Sequence, residues 1–214
     1  MSSISVRHDL RGKFGPARDQ GARPTCLAFA MSDAHAAAIE PWNPLCCEYL
    51  FYHAKRRDKK PPDTGATMRA MREAVKSDGQ PVESDWPYLK TLPADLSLWI
   101  PPGDVGQLFQ RASHELGTGF DDGWNAVASG KPALIGMSLS GAFYRPSKAG
   151  VVDSAEPIDP TRRHAVVAAA AGERAKKRFL LVRNSWGESW GLSGYAWIAE
   201  RYMTPRAMIV VTLS

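Results

Sequence analysis

The sequence predicts an α+β protein whose helices lie mainly in its first half and whose strands lie mainly in its second half. Three windows of the first half have the composition or apolar spacing of helices: 25–39, 46–57 and 67–77. Five later windows have the β-branched and apolar content of strands: 133–140, 164–171, 178–183, 194–199 and 208–213. Segregated helices and strands indicate two packed lobes, and a cleft between lobes is the usual place for a functional site.

The first helix has the clearest boundaries of these elements. Window 25–39 contains six alanines, and alanine has the strongest helix propensity of all residues. Thr25 stands where a hydroxyl is a favoured helix cap, and Pro24 lies just outside the helix. Pro41 and Pro44 follow, and they limit the helix to about residue 39.

The remaining segments are separated by turn-forming residues. Methionines and a valine recur at helical spacing in 67–77, and an Asp-Gly pair follows this window. A shorter helix is expected over about 122–129. Proline and glycine are frequent in 9–24, and proline is frequent in 81–106. We therefore expect loops or extended chain in these two stretches.

Composition excludes several classes of function. The chain has 214 residues, and 44% of them are hydrophobic, which favours a folded core over disorder. The net charge of +5 is mild, and no basic cluster alternates with aromatic residues, so no nucleic-acid partner is expected. No apolar run is long enough for membrane insertion. No cysteine and histidine set has the spacing of metal ligands, so neither a metal nor a cofactor is expected.

The three cysteines indicate a reducing compartment. Cys26, Cys46 and Cys47 cannot build a disulfide framework, because the last two are adjacent. The start of the chain has no apolar segment of signal-peptide length. We therefore expect a cytoplasmic protein, or one that is exported by a signal-peptide-independent route as a secreted effector.

Cys26 is a candidate nucleophile because it lies in the first turn of the first predicted helix. Free N–H groups and the helix dipole favour a negative charge there, so the thiol is expected to shift toward the reactive thiolate. Taken alone, a cysteine in an alanine-rich helix is more often a small buried residue. Gln20 precedes Cys26 in the entering loop, and its amide N–H could stabilise an oxyanion beside the sulfur.

Two residues of the second half complete the candidate site. His164 opens one predicted strand and Asn184 ends the next, so pairing of the two strands would bring them to the same end of a sheet. An amide that accepts a hydrogen bond from an imidazole fixes the tautomer and the orientation of the ring. Asn184 also opens the string NSWGESWGLSGY, in which two tryptophans could cover such a polar pair.

These segments resemble the papain family of cysteine peptidases. The resemblance is carried by Asp19-Gln20-Gly21, Cys26-Leu27-Ala28-Phe29, Trp86-Pro87-Tyr88, His164-Ala165-Val166-Val167 and the asparagine string. The order and the spacing of the four candidate residues agree with that family, and the likeness extends over about residues 9–213. The chain looks like a minimal bacterial member that lacks a pro-segment and disulfides.

The resemblance implies a thiol endopeptidase that hydrolyses peptide bonds of a protein or peptide substrate through a thioester acyl-enzyme. In this interpretation Cys26 is the nucleophile, His164 is its acid and base, and Asn184 orients His164. Gln20 and the backbone N–H of Cys26 hold the oxyanion.

The resemblance also implies which residues bind the substrate. They are Gly65, Ala66, Thr67, Gly136, Ala165 and Trp186. Four of them, Ala66, Thr67, Gly136 and Ala165, correspond to the pocket for the second residue before the scissile bond. Because their side chains are small, we expect a roomy apolar pocket. Trp186 is expected to shield the bond between the histidine and the asparagine from solvent.

The sequence departs from the family pattern close to the nucleophile and the histidine. Arg23 replaces the family's disulfide cysteine, and Leu27 replaces a common aromatic residue. Arg163 precedes His164, where many members have an acidic residue. A cation at this place is expected to disfavour the imidazolium and to alter the pH optimum.

The resemblance implies a single catalytic domain over 1–214 with a papain-like two-lobe fold. We expect a helical N-terminal lobe over about 20–105 and an antiparallel, β-barrel-like C-terminal lobe over about 106–214. The active-site cleft lies between them, and the first segment, about 1–19, packs on the second lobe.

Control of activity and two alternative functions follow from the same resemblance. Without a pro-segment, control by an inhibitory or regulatory protein partner is expected. The first alternative is related acyl-transfer or ligase chemistry at the same site. The second is a pseudo-peptidase that binds peptides without cleaving them.

Overall fold

Three helices form the first half of the chain, as the sequence predicts. A computed structural model describes residues 3–214, so Met1 and Ser2 lie outside the described residues. Helix α1 spans Cys26–Ala36, α2 spans Cys47–Asp58 and α3 spans Met68–Ser77. All three lie within three residues of their predicted bounds.

The helix caps differ from one another. The Thr67 hydroxyl accepts a hydrogen bond from the Ala70 N–H, as a helix cap does. Thr25 occupies the cap position of α1, but its hydroxyl forms a hydrogen bond of 2.8 Å with the Tyr88 hydroxyl instead. The capping role expected of Thr25 is therefore wrong, because a tertiary partner takes its hydroxyl.

Eight strands form one sheet. They are β1 Ser5–Asp9, β2 Ser113–Gly117, β3 Ala133–Leu139, β4 Val151–Val152, β5 Asp159–Arg174, β6 Lys177–Arg183, β7 Tyr195–Ala199 and β8 Ala207–Leu213. The strand order is β2-β8-β3-β5-β6-β7-β4, and β1 pairs with β5 outside this path. Every pairing is antiparallel except β4 with β7. Within the described residues the end strands do not pair with each other, so the sheet is not closed into a barrel.

Helix α4 spans Phe120–Ala128, within two residues of the short helix predicted over about 122–129. The sequence patterns do not predict the two four-residue helices α5, Gly141–Tyr144, and α6, Glu200–Met203. Strand β1 is mostly exposed and polar, so its formation depends on its pairing with β5. Strand β5 is longer than predicted because its exposed polar start pairs with β3.

Two buried clusters pack against the central strand β5. Val166 and Ala168 belong to a cluster on one face of the sheet, which also contains residues of α4. Ala165 and Val167 face the other way and pack with α1, α2 and α3. Because both faces are covered, β5 is apolar over this stretch rather than alternating. The lobe boundaries given above stay a prediction.

A buried ionic cluster joins α1 to the sheet. Asp33 of α1 accepts hydrogen bonds from Arg18 at 2.7 Å and from Arg183 of β6 at 2.6 Å. Arg183 also donates to the Gly15 carbonyl at 2.8 Å. Burial alone would raise the pKa of Asp33, but the two guanidinium charges outweigh burial and lower this pKa. The cluster therefore fixes the first helix relative to the second half of the chain.

The described residues offer neither a membrane-spanning helix nor a metal-binding group. No helix within 3–214 is long and apolar enough to cross a bilayer. In the same range, no three histidine, cysteine, aspartate or glutamate side chains are grouped so that they could hold a metal ion.

Candidate active site

A cleft of about 680 Å³ lies where the start of α1 meets the sheet. Its lining includes nine of the ten residues that the sequence indicates: Gln20, Cys26, Gly65, Ala66, Thr67, Gly136, His164, Ala165 and Trp186. The tenth, Asn184, lies behind the cleft wall and contacts His164. The structure therefore brings all the candidate site residues together from segments that are far apart in the sequence.

Cys26 is the first residue of α1 and is partly exposed to the cleft. Burial raises the pKa of the Cys26 thiol above its usual value, and the backbone N–H groups of Ala165 and Leu27 offset this only in part. Burial thus acts against the thiolate that the helix start is expected to favour, and the resting thiolate stays a prediction.

His164 and Asn184 form the polar pair that the sequence suggests. The distance from His164 Nε2 to Asn184 Oδ1 is 2.6 Å. The Ser185 N–H also donates to Asn184 Oδ1 at 2.8 Å, which fixes this atom as the amide oxygen. His164 Nε2 must then carry the proton. In the neutral ring Nδ1 is consequently free to accept one.

The neutral form of His164 is favoured by its surroundings. Burial lowers the pKa of His164 to about 4, although the hydrogen bond to Asn184 acts in the opposite direction. Burial is the cause of this lowered pKa, and Arg163 is exposed, so the effect of Arg163 on the pH optimum stays a prediction.

Aromatic side chains enclose the His164 ring. The Trp186 ring lies 4.6 Å from it between centroids, and the Phe143 ring lies at 5.9 Å. Trp190 meets Trp186 edge to face at 5.8 Å. Trp186 thus covers the imidazole, and Trp190 supports Trp186 from behind.

The Gln20 side chain is held in the cleft wall by two hydrogen bonds. Its Nε2 donates to the Arg23 carbonyl at 2.8 Å, and its Oε1 accepts from the Ser185 hydroxyl at 2.6 Å. Its backbone carbonyl accepts from the Tyr88 hydroxyl at 2.8 Å. One of the two Nε2 hydrogens remains available for a ligand. Sequence reasoning assigned no role to Ser185, although it directly follows Asn184.

Arg23 forms a buried ion pair next to Gln20. Its Nη1 and Nη2 lie 2.6 and 2.9 Å from the two carboxylate oxygens of Glu48 in α2. Its Nη1 also donates to the Leu89 carbonyl at 2.5 Å. The residue that replaces the family's disulfide cysteine thus connects the loop before α1 to α2 without a covalent bond. Sequence reasoning missed Glu48, because nothing local marks a charge inside α2 as buried.

The predicted substrate-binding residues line one side of the cleft with several others. Lys55 Nζ donates to the Gly65 carbonyl at 3.1 Å and thereby holds the loop before α3. The space above Gly136 is not empty, because a Cβ there would lie 2.9 Å from Ile209 Cγ2. Ile209 therefore occupies space beside Gly136, and the roomy apolar pocket stays a prediction. The sequence patterns missed further lining residues: Met68, Thr161, Arg163, Met208 and Ile209.

Comparison with known proteins decides the family. The family model described as papain family cysteine protease matches residues 2–209. The chain belongs to the papain family of cysteine proteases. Cathepsin J of Mus musculus is 27% identical to this papain-family chain over 202 residues, which are 88% of the chain and 58% of the relative. Cysteine proteinase 3 of Entamoeba histolytica is 24% identical over 197 residues, which are 90% and 62% of the two chains.

Solved structures of papain-like proteases share the fold. The structure of xylellain, a cysteine protease from Xylella fastidiosa, superposes with a TM-score of 0.78 at 21% identity and covers 99% of this chain and 87% of its own. The predicted papain-like α+β fold is thereby confirmed. This papain-family chain spans about 58–62% of the length of the two curated relatives named above.

Proposed function

We propose that this chain is a cysteine peptidase that hydrolyses peptide bonds with Cys26 as its nucleophile. The observation that carries the proposal is the bond between His164 Nε2 and Asn184 Oδ1. It leaves His164 Nδ1 free to accept a proton, in the same cleft that Cys26 lines. Membership of the papain family supports the same reaction class.

The reaction begins from the neutral pair. His164 Nδ1 takes the proton of Cys26 Sγ as the sulfur attacks the peptide carbonyl carbon. The carbonyl oxygen becomes an oxyanion, which the backbone N–H of Cys26 and the free N–H of Gln20 stabilise. The hydrogen bonds of Gln20 to Arg23 and Ser185 hold its amide in place, so little reorganisation is needed during the step.

The second half of the reaction releases the products. The imidazolium of His164 gives its proton to the leaving nitrogen, the C–N bond breaks, and a thioester to Cys26 remains. His164 then takes a proton from a water molecule that attacks the thioester, and it returns that proton to the departing sulfur. Asn184 keeps the ring oriented throughout, and the Trp186 cover excludes water from their hydrogen bond.

An active-site-directed thiol reagent tests the nucleophile. We expect a peptide-like epoxide to add one equivalent of mass to the folded protein, at Cys26. Cys46 and Cys47 serve as internal controls, because both are fully buried and burial raises the pKa of Cys46 to about 12. Peptide mapping that finds Cys26 unlabelled in folded protein would favour the binding-module alternative. Transfer of the acyl group to an added amine rather than to water would favour the ligase alternative.

A further inference from the structure

Arg163 is a cation in the cleft that no acidic side chain neutralises. Among the described residues, two charged side chains line the cleft, and they are Arg23 and Arg163. Arg23 is engaged by Glu48, whereas Arg163 is exposed and makes no salt bridge and no side-chain hydrogen bond within residues 3–214. The described lining contains no aspartate or glutamate. The cleft therefore presents an uncompensated positive charge to a bound peptide.

The strand register places this charge on the apolar floor of the cleft. Gly136 of β3 lies opposite both Ala165 of β5 and Ile209 of β8. Arg163 is two residues from Ala165, and Ser138 lies opposite it, so both face the same way as that floor. His164 lies between them and faces the opposite side of the strand, toward Asn184.

In the proposed reaction His164 protonates the leaving nitrogen, so it must face that side of the scissile bond. The floor around Ala165 and Ile209 lies on the other face of the strand and is available to the acyl side of the substrate. We propose that Arg163 selects substrates with an acidic side chain on the acyl side of the scissile bond. This inference rests on the proposed peptidase function, and it replaces the expectation of a purely apolar occupant.

Glutamate fits this arrangement better than aspartate. Its two methylene groups can lie on the apolar surface that Ile209 provides, while its carboxylate reaches the guanidinium of Arg163. An exposed ion pair of this kind changes affinity modestly, by a factor of about 2 to 5. Salt screens it, because the arginine is open to solvent.

Arg162 provides a matched control. It is adjacent and also exposed, but it does not line the cleft. Its Nε lies 2.9 Å from Asp159, and its guanidinium lies 5.4 Å from the centroid of the Tyr144 ring. A loss of general surface charge would affect both arginines alike, whereas substrate selection depends on Arg163 alone.

The test is a set of matched peptides that differ only by Glu, Gln or Lys at each of the three positions before the scissile bond. For the wild type we expect kcat/KM to favour Glu over Gln about 2- to 5-fold at one of these positions, and less at high salt. The ratio should fall to about 1 in Arg163→Gln, invert toward Lys in Arg163→Glu, and persist in Arg163→Lys and Arg162→Gln. Ratios within one variant cancel any change in the neighbouring histidine.

The outcomes separate this inference from the proposed function. A wild-type ratio near 1 at all three positions, or a preference that survives Arg163→Gln, would overturn the role of Arg163 while peptide cleavage itself stands. If folded wild type cleaves no peptide and its Cys26 resists the epoxide, the proposed peptidase function fails instead.

Discussion

The ion pair between Arg23 and Glu48 should make a large contribution to stability, and Glu48→Gln tests it. Four donors converge on this fully buried carboxylate: Arg23 Nη1 at 2.6 Å, Arg23 Nη2 at 2.9 Å, Trp99 Nε1 at 2.6 Å and the Leu89 N–H at 3.0 Å. Glutamine has nearly the same shape, but only one of its two terminal atoms is an acceptor oxygen. Its NH₂ group would face N–H donors and could not form hydrogen bonds with them. The guanidinium would then be buried without a countercharge.

The expected loss is a large part of a domain's total stability. Breaking a buried ion pair by removing one partner costs about 3–5 kcal/mol, while whole domains are stable by about 5–15 kcal/mol. Urea unfolding followed by tryptophan fluorescence should show a decrease of this size in the free energy of unfolding. A decrease below about 1 kcal/mol would refute the reasoning.

A second Glu→Gln change supplies the control. Glu115 pairs with Arg72 at 3.0 Å, and the Glu115 side chain is 52% exposed. The same substitution there should cost about 0–1 kcal/mol, because water replaces the lost partner. Both results should be the same with and without reductant, since all three cysteines are free.

Three further predictions concern buried polar groups. Asp33→Asn should lower the free energy of unfolding by about 3 kcal/mol or more in urea, because two buried guanidiniums lose their shared carboxylate; an unchanged midpoint would contradict this. Burial lowers the pKa of His35 and of His164 to about 4, below the usual 6.5. Between these two pH values the unfolded chain therefore binds more protons than the folded chain. Stability should therefore fall by about 3 kcal/mol per histidine as pH drops from 6.5 to 4, in urea titrations at several pH values; a flat profile would contradict this. Ser185→Ala should lower kcat about 10-fold with little change in KM, since the amide of Gln20 loses its anchor; a change in KM alone would oppose that role.

The site residues could be predicted because they stand in short, distinctive segments. The asparagine string and the order of Gln20, Cys26, His164 and Asn184 are visible in the sequence, and the structure brings these residues together. Helix α1 could be predicted from its alanines and its flanking prolines. These signals are local, so they do not depend on the rest of the fold.

The features that the sequence did not predict depend on contacts between distant segments. Strand β1 forms by pairing with β5, although its own residues are mostly exposed. The burial that raises the pKa of Cys26 comes from segments distant in the sequence, and it acts against the local effect of the helix start. The partners of Arg23, and the packing of Ile209 over Gly136, likewise join segments that no sequence pattern relates.

The central claim is that the Cys26 thiol performs peptide-bond cleavage. A digest of a mixed peptide library by the wild type and by Cys26→Ala, followed by mass spectrometry, tests it most directly. The substitution removes one partly exposed sulfur atom, so both proteins should show the same urea unfolding curve. We predict defined cleavage products with the wild type and none above background with Cys26→Ala. Equal cleavage by the two proteins would contradict the account.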